Sequence, residues 1–159
     1  MRLILVFCLA ICVASVMLVG CQRPPVIYDV PTSRSYDSNP SVLWPEIVGF
    51  LTDNGLTLTE ADPNSGRITA QLIDFEPREW SACRRARVVD NENRRDRGRP
   101  VNRQMALEID VTSAEGGSVV RPRAKFTERQ INPFRNLPFF VACPSTGLFE
   151  RTLLAALQN

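Results

Sequence analysis

The chain has 159 residues, 44% hydrophobic and 23% charged, with 19 basic and 17 acidic side chains and a formal net charge of +2. That length suits one domain, or one domain with a tail, and so balanced a charge gives no electrostatic case for nucleic acid as a partner. Histidine is absent, which excludes Ser-His-Asp and Cys-His catalysis, imidazole metal sites and a histidine pH switch. Lys125 is the only lysine, so Schiff-base chemistry has a single candidate.

After Met1-Arg2, the run from Leu3 to Leu18 is apolar or small throughout. As a helix it would rise only ~24 Å, short of the ~30 Å hydrocarbon core. A cleaved signal peptide over residues 1–20 therefore fits better than a retained span. The run closes with Leu18-Val19-Gly20-Cys21, which resembles the lipobox of bacterial lipoproteins. That resemblance implies cleavage before Cys21, a diacylglycerol thioether on its sulfur and an acylated amino group. An ordinary signal peptide with an incidental cysteine is the alternative. Two or more acyl chains anchor stably, each buried CH₂ contributing ~0.8 kcal/mol. Gln22 follows the cysteine where an inner-membrane signal would have Asp. By the sorting pattern of enteric lipoproteins this implies the outer membrane, facing the periplasm.

Cleavage would leave 139 residues with 18 basic and 17 acidic side chains, since Arg2, Cys8 and Cys12 go with the signal. With Cys21 taken by lipid, Cys83 and Cys143 remain. Two thiols in an oxidising compartment point to one disulfide, two buried free thiols being the alternative. The bridge would close a loop of about 60 residues and stabilise by at most ~4 kcal/mol. Two thiols cannot make a cysteine zinc site. No metal and no cofactor is expected beyond the covalent lipid on Cys21.

From Cys21 to Pro40 the chain reads as a flexible, proline-rich tether, with Pro24, Pro25, Pro31 and Pro40 among polar residues. Val26 to Val30 is more apolar than a spacer needs. It is either laid back on the domain or a segment that docks on a partner. Residues 41–159 are expected to form a single α+β domain. Trp44, Ile47, Val48 and Leu51 lie on one helical face; Pro45 belongs in a first turn, so the helix is predicted to start near Val42 or Leu43 and to end at Asn54-Gly55. Leu56 to Glu60 and Arg67 to Ile73 alternate around the turn Asp62-Pro63-Asn64-Ser65-Gly66, a β-hairpin. Trp80 to Val89 is predicted as a third strand carrying Cys83.

Gln104 to Thr112 and Val119 to Arg129 make the clearest pair. A tip at Glu115-Gly116 sets Met105 opposite Phe126, Leu107 opposite Ala124 and Val111 opposite Val120 on one face. The other face pairs Glu108 with Arg123 and Asp110 with Arg121, opposite charges across strands. Pro122 removes a ladder donor and marks an edge or bulge. Ser145 is predicted to cap a last helix running to about Gln158, with Phe149, Leu153, Ala156 and Leu157 inward. The expected architecture is a two-layer antiparallel sheet of about five strands with both helices on its apolar face.

Candidates for chemistry are few. Glu108 and Asp110 share a sheet face but each has an arginine opposite. Asp90, Glu92 and Asp96 lack the spacing of a calcium loop, and the arginines among them repel a cation. Arg84, Arg85, Arg87, Arg94, Arg95, Arg97, Arg99 and Arg103 crowd into one stretch against those three acids. Pro100 and Gly98 mark it as a mobile loop between strands. It is either a solvated loop or a surface for an anion or an acidic partner, since guanidinium forks suit phosphate and carboxylate. Ile131 to Pro144, rich in Phe, is expected to pack mostly under the last helix, with an exposed apolar patch as the alternative.

The lipobox, the long tether and a domain opening Leu43-Trp44-Pro45-Glu46-Ile47-Val48, followed by Leu56-Thr57-Leu58-Thr59 and a turn at Gly66, are similar to the NlpB/DapX (BamC-like) outer-membrane lipoproteins. The resemblance implies a helix-grip domain and a non-enzymatic accessory lipoprotein that contacts other envelope proteins. The function expected is therefore an outer-membrane binding or scaffolding module in envelope biogenesis, partnered by an envelope protein complex and not by nucleic acid. A periplasmic carrier of a lipid or small ligand is the alternative. Cys21→Ser is predicted to abolish membrane fractionation and leave the fold intact; unchanged membrane retention would contradict the anchor.

Overall fold

Alternating apolar residues on both sides of Glu115-Gly116 form the two longest strands, and the other elements are arranged about them. The computed structural model describes residues 27–75 and 78–157. In chain order these form β1 (Arg34–Tyr36), α1 (Pro40–Asp53), β2 (Thr57–Asp62), β3 (Arg67–Ile73), a 3-10 turn (Arg78–Trp80), β4 (Arg87–Val89), β5 (Arg95–Arg97), β6 (Arg99–Ala114), β7 (Gly117–Ile131), β8 (Pro138–Cys143) and α2 (Leu148–Ala156). One antiparallel sheet has the order β1-β7-β6-β3-β2, with β8 also paired to β7, and β4 and β5 form a separate ribbon. The fold is α+β, with six strands in the main sheet where about five were predicted. The signal segment, Cys21 and the tether up to Val26 lie outside the described residues.

The predicted register holds residue for residue: Met105 faces Phe126, Leu107 faces Ala124, Val111 faces Val120, Glu108 faces Arg123 and Asp110 faces Arg121. A one-residue slip would move every apolar side chain of this pair to the solvent face. Pairing also runs past both predicted ends, from Ala114↔Gly117 to Arg99↔Ile131, with an irregularity between Pro100 and Asn102. Pro122 stands opposite Ile109. Val111 donates toward β3, to the Gly66 carbonyl at 2.7 Å, and bond direction alternates along a strand. Ile109 therefore also bonds toward β3, and the donor that Pro122 lacks would have pointed to the outer edge of β7. Among the described residues that edge has no strand partner between Val120, paired with β1, and Phe126, paired with β8. Gly66 is needed for its own reason: at φ 68°, a Cβ there would lie 2.1 Å from the Val111 carbonyl oxygen.

The first helix begins at Pro40, ahead of the predicted Val42 or Leu43. Proline suits a first helical position, and the Asn39 carbonyl accepts from Val42 and Leu43 at 3.0 and 3.2 Å. Pro45 then lies inside α1, where it removes the bond to the Ser41 carbonyl. Leu43, Ile47 and Leu51 are buried, and Trp44, Val48 and Phe50 pack against the same core. In α2 the buried apolar residues are Phe149, Leu153 and Leu154, with Leu157 just beyond it, while Ala156 is exposed. Both helices thus bury their apolar stripes in one core with the inward face of β3, β6 and β7. Ser145 is not the cap of this helix. Gly147, at φ 77°, takes the N-cap place. The Ser145 Oγ accepts from the Gly147 N–H at 3.0 Å and donates to the buried Glu150 carboxylate at 2.9 Å.

Trp80 to Val89 is not one strand. The Trp80 ring meets Phe149 edge-on at 4.9 Å and stacks on Phe75 at 5.7 Å, and Ser81 forms an isolated bridge with Ser145. These contacts bind the segment across the core, and only Arg87–Val89 remains extended as a strand. Cys83 and Cys143 are disulfide-bonded, with Cα atoms 4.6 Å apart. The bridge joins a loop to the end of β8, not a central strand to a helix. Ile131 to Pro144 likewise forms a turn and β8 along β7 in place of packing under α2. Replacing Cys83 and Cys143 together by Ser is expected to lower unfolding free energy by ~2–4 kcal/mol, read by urea denaturation. A loss below about 0.5 kcal/mol would show that the bridge constrains nothing.

Candidate functional site

Beyond Phe126 the inward parity of β7 continues into Glu128 and Gln130, two polar side chains that are 5% and 0% exposed. Buried polar groups need partners, and here the partners hold the arginine segment. The Gln130 Oε1 accepts from the Ala86 N–H at 3.0 Å. Its Nε2 donates to the Arg84 carbonyl at 3.1 Å and to the Glu128 Oε1 at 2.8 Å. The other Glu128 oxygen accepts from the Arg103 Nε at 3.0 Å, an ion pair largely shielded from water. Gly98 closes the arrangement by donating to the Ala86 carbonyl at 2.8 Å. A Cβ at Gly98 would come within 2.2 Å of Gln130 Oε1 and 2.8 Å of the Phe139 ring, so only glycine fits.

Pinned in this way, the stretch expected to be a mobile loop is the β4–β5 ribbon. Its turn is built by one carboxylate. Asp90 Oδ1 accepts from the backbone N–H groups of Glu92 and Arg94 at 3.0 and 2.8 Å, and Oδ2 accepts from the Arg94 guanidinium at 2.6 Å. Asn93 takes the left-handed conformation, at φ 61°, that such a turn needs. Desolvation works to raise the Asp90 pKa, but the hydrogen bonds from Arg94 and Glu92 outweigh it and hold it below the ordinary 3.8.

The seven arginines predicted as a binding group, Arg84, Arg85, Arg87, Arg94, Arg95, Arg97 and Arg99, are all exposed and all lie on or beside this ribbon. Arg94 is committed to structure: it pairs with Asp90 and Glu92 and its guanidinium lies 5.5 Å from the centre of the Phe134 ring. The other six make no ion pair among the described residues. Arg87 stands directly opposite Arg97, and Val89 opposite Arg95. With a side-chain period of two, Arg87, Arg95 and Arg97 share one face with Val89, while Asp96 and Val88 face the other way. Like charges in register destabilise a ribbon, so this face is arranged against its own stability.

A second charged cluster is tied together by ion pairs. On the outward face of the sheet Arg123 bridges Asp110 and Glu108, the latter at 3.2 Å, and Arg67 lies 3.7 Å from both. Asp110 therefore pairs with Arg123 on the diagonal, whereas Arg121, opposite it in register, donates to Thr112 at 3.0 Å. Ile27 to Val30 runs over the domain: the Asp29 carbonyl accepts from Arg151 at 2.6 Å, and Val30, Pro31 and Thr32 wall an open groove of about 400 Å³ along the unpaired edge of β7. Sequence reading misses the roles of Glu128 and Gln130, and reads Gly98 only as a loop marker. The available signal was the polar pair continuing the inward parity of Phe126.

No protein-family model matches the chain, and no curated protein matches it. Two outcomes follow from the geometry. Gln130→Leu strands the Ala86 donor and the Arg84 acceptor and is expected to lower stability by ~1–3 kcal/mol, measured by urea unfolding; an unchanged midpoint would contradict the anchoring role. Because the folded Asp90 pKa is depressed, its contribution is complete above pH 3.8 and is lost as pH falls through the lower folded value. A carboxyl-carbon NMR titration should give an Asp90 midpoint below 3.8; a midpoint at or above that value would contradict the turn.

Proposed function

We propose that the chain is an outer-membrane lipoprotein, anchored through Cys21 and facing the periplasm, whose domain works by contact and not by catalysis. It serves as a binding or scaffolding module in envelope biogenesis. The observation that carries this is the contrast in charge use. Glu108, Asp110 and the buried Glu128 are held in ion pairs, while six arginines carry no ion pair among the described residues, on or beside a ribbon fixed from beneath. A preorganised cationic surface favours an anionic partner. The helix-grip-like placement of both helices over one sheet face, and an accessory role in outer-membrane protein assembly of the NlpB/DapX (BamC-like) kind, belong to the same proposal. They rest on the lipobox, the tether and the Leu43 to Gly66 pattern.

A carrier that holds a lipid between sheet and helices has less support. That space is occupied by Ile47, Leu107, Phe126 and Phe149, each at most 2% exposed. Crosslinked co-purification of the tagged chain from native envelopes, read by mass spectrometry, separates the two. Recovery of a defined envelope protein complex is expected. Recovery of the chain alone with a stoichiometric lipid that survives detergent exchange would favour the carrier and sink the scaffold.

A further inference from the structure

We propose that the β4–β5 ribbon is a membrane-docking face, whose arginines seat on the phosphates of an anionic lipid surface. The proposal deepens the lipoprotein reading and rests on it for the presence of that surface. Charge is the first ground. Arg87, Arg95 and Arg97 project from one face, exposed and without an ion pair among the described residues. The repulsion between Arg87 and Arg97 is offset once phosphates lie between them, and guanidinium forks match phosphate oxygens. The backbone beneath is already held by Gln130, so little ordering remains for binding to impose.

Apolar chemistry is the second ground. Val89, 51% exposed, shares the arginine face, and Leu137, 60% exposed, sits in the turn before β8. That turn is drawn to the ribbon tip, where Arg94 lies over Phe134 at 5.5 Å and Arg135 donates to Asn91 at 3.4 Å. Arginine interleaved with exposed aliphatic side chains is the composition of an interfacial surface.

The third ground is proximity. From Ile27 back to Cys21 the chain can span at most ~20 Å, so an anchored domain stays beside the lipid surface. An acidic protein surface would match the charge but is not held at that distance by the tether.

The test uses the mature-length chain carrying Cys21→Ser, so that acyl chains do not hold it, sedimented with phosphatidylglycerol-rich or pure phosphatidylcholine vesicles. Binding to the anionic vesicles alone, weakened by added salt, is expected. Arg87→Gln, Arg95→Gln and Arg97→Gln together should weaken it by roughly 100-fold at an unchanged melting temperature. If that variant fails to fold, Arg95→Gln alone should weaken binding by roughly 5-fold. Failure of the parent to bind, or equal binding by a folded variant, would overturn the proposal. So would a photoreactive residue at Val89 that crosslinks to protein and not lipid in native envelopes. In cells, Cys21→Ser held only by the ribbon is released from membranes by a high-salt wash while the lipid-anchored parent is not, so failure of the ribbon and failure of the lipoprotein reading are distinguishable.

Discussion

The pairing of β6 with β7 is the constraint on which the rest depends. Because successive side chains point to opposite faces, one register decides two surfaces at once. It sends Met105, Leu107, Ile109, Val111, Val120 and Phe126 into the core and leaves Glu108, Asp110 and Arg123 to form an ion network outside. The same pairing places Arg103 beside Glu128. Its inward parity does not stop where the apolar residues stop. It carries Glu128 and Gln130 into the interior, and the arginine ribbon is positioned by what those two side chains require.

Burying a carboxylate and an amide is unfavourable unless each finds partners. Arg103 answers one Glu128 oxygen, and Gln130 answers the other. Gln130 in turn reaches the backbone of Arg84 and Ala86 much as a neighbouring strand would. The ribbon is thus located by directional bonds, with Gly98 admitting the close approach, while the helices are located by apolar packing against the same sheet. The Cys83–Cys143 bridge and the Trp80 contacts join the two regions. In the proposed function this division of labour has a use: the packed half gives a stable body, and the hydrogen-bonded end presents fixed arginines toward an anionic surface.

What was legible in the sequence was what two independent signals specified together. The β6–β7 register satisfied apolar alternation and charge pairing at the same time, and a slip would have broken both. Asn54-Gly55 likewise closed α1 where periodicity ended. Trp80 to Val89 misled because its alternation matched a strand, whereas Trp80 and Ser81 were claimed by Phe149, Phe75 and Ser145, a tertiary demand that outweighs local propensity. The ribbon was hidden by its shortness: three residues in each strand give no period, and Asp90 and Asn93 signal a turn without showing what flanks it. Ser145 had the composition of a cap, but Gly147 held the position, and the serine hydroxyl went to Glu150. The arginine cluster itself was visible from composition; its common face and the Gln130 support were not.

Above all, the arginine segment is a fixed ribbon held by Gln130, and not a solvated loop. Amide hydrogen exchange at Ala86 is the decisive readout, since among the described residues that N–H bonds only to the Gln130 side chain. Slow exchange is expected at Ala86, within the range of the β6–β7 amides, with a return toward the unprotected rate in Gln130→Leu. Unprotected exchange at Ala86 in the parent chain would mean that Gln130 does not hold the ribbon.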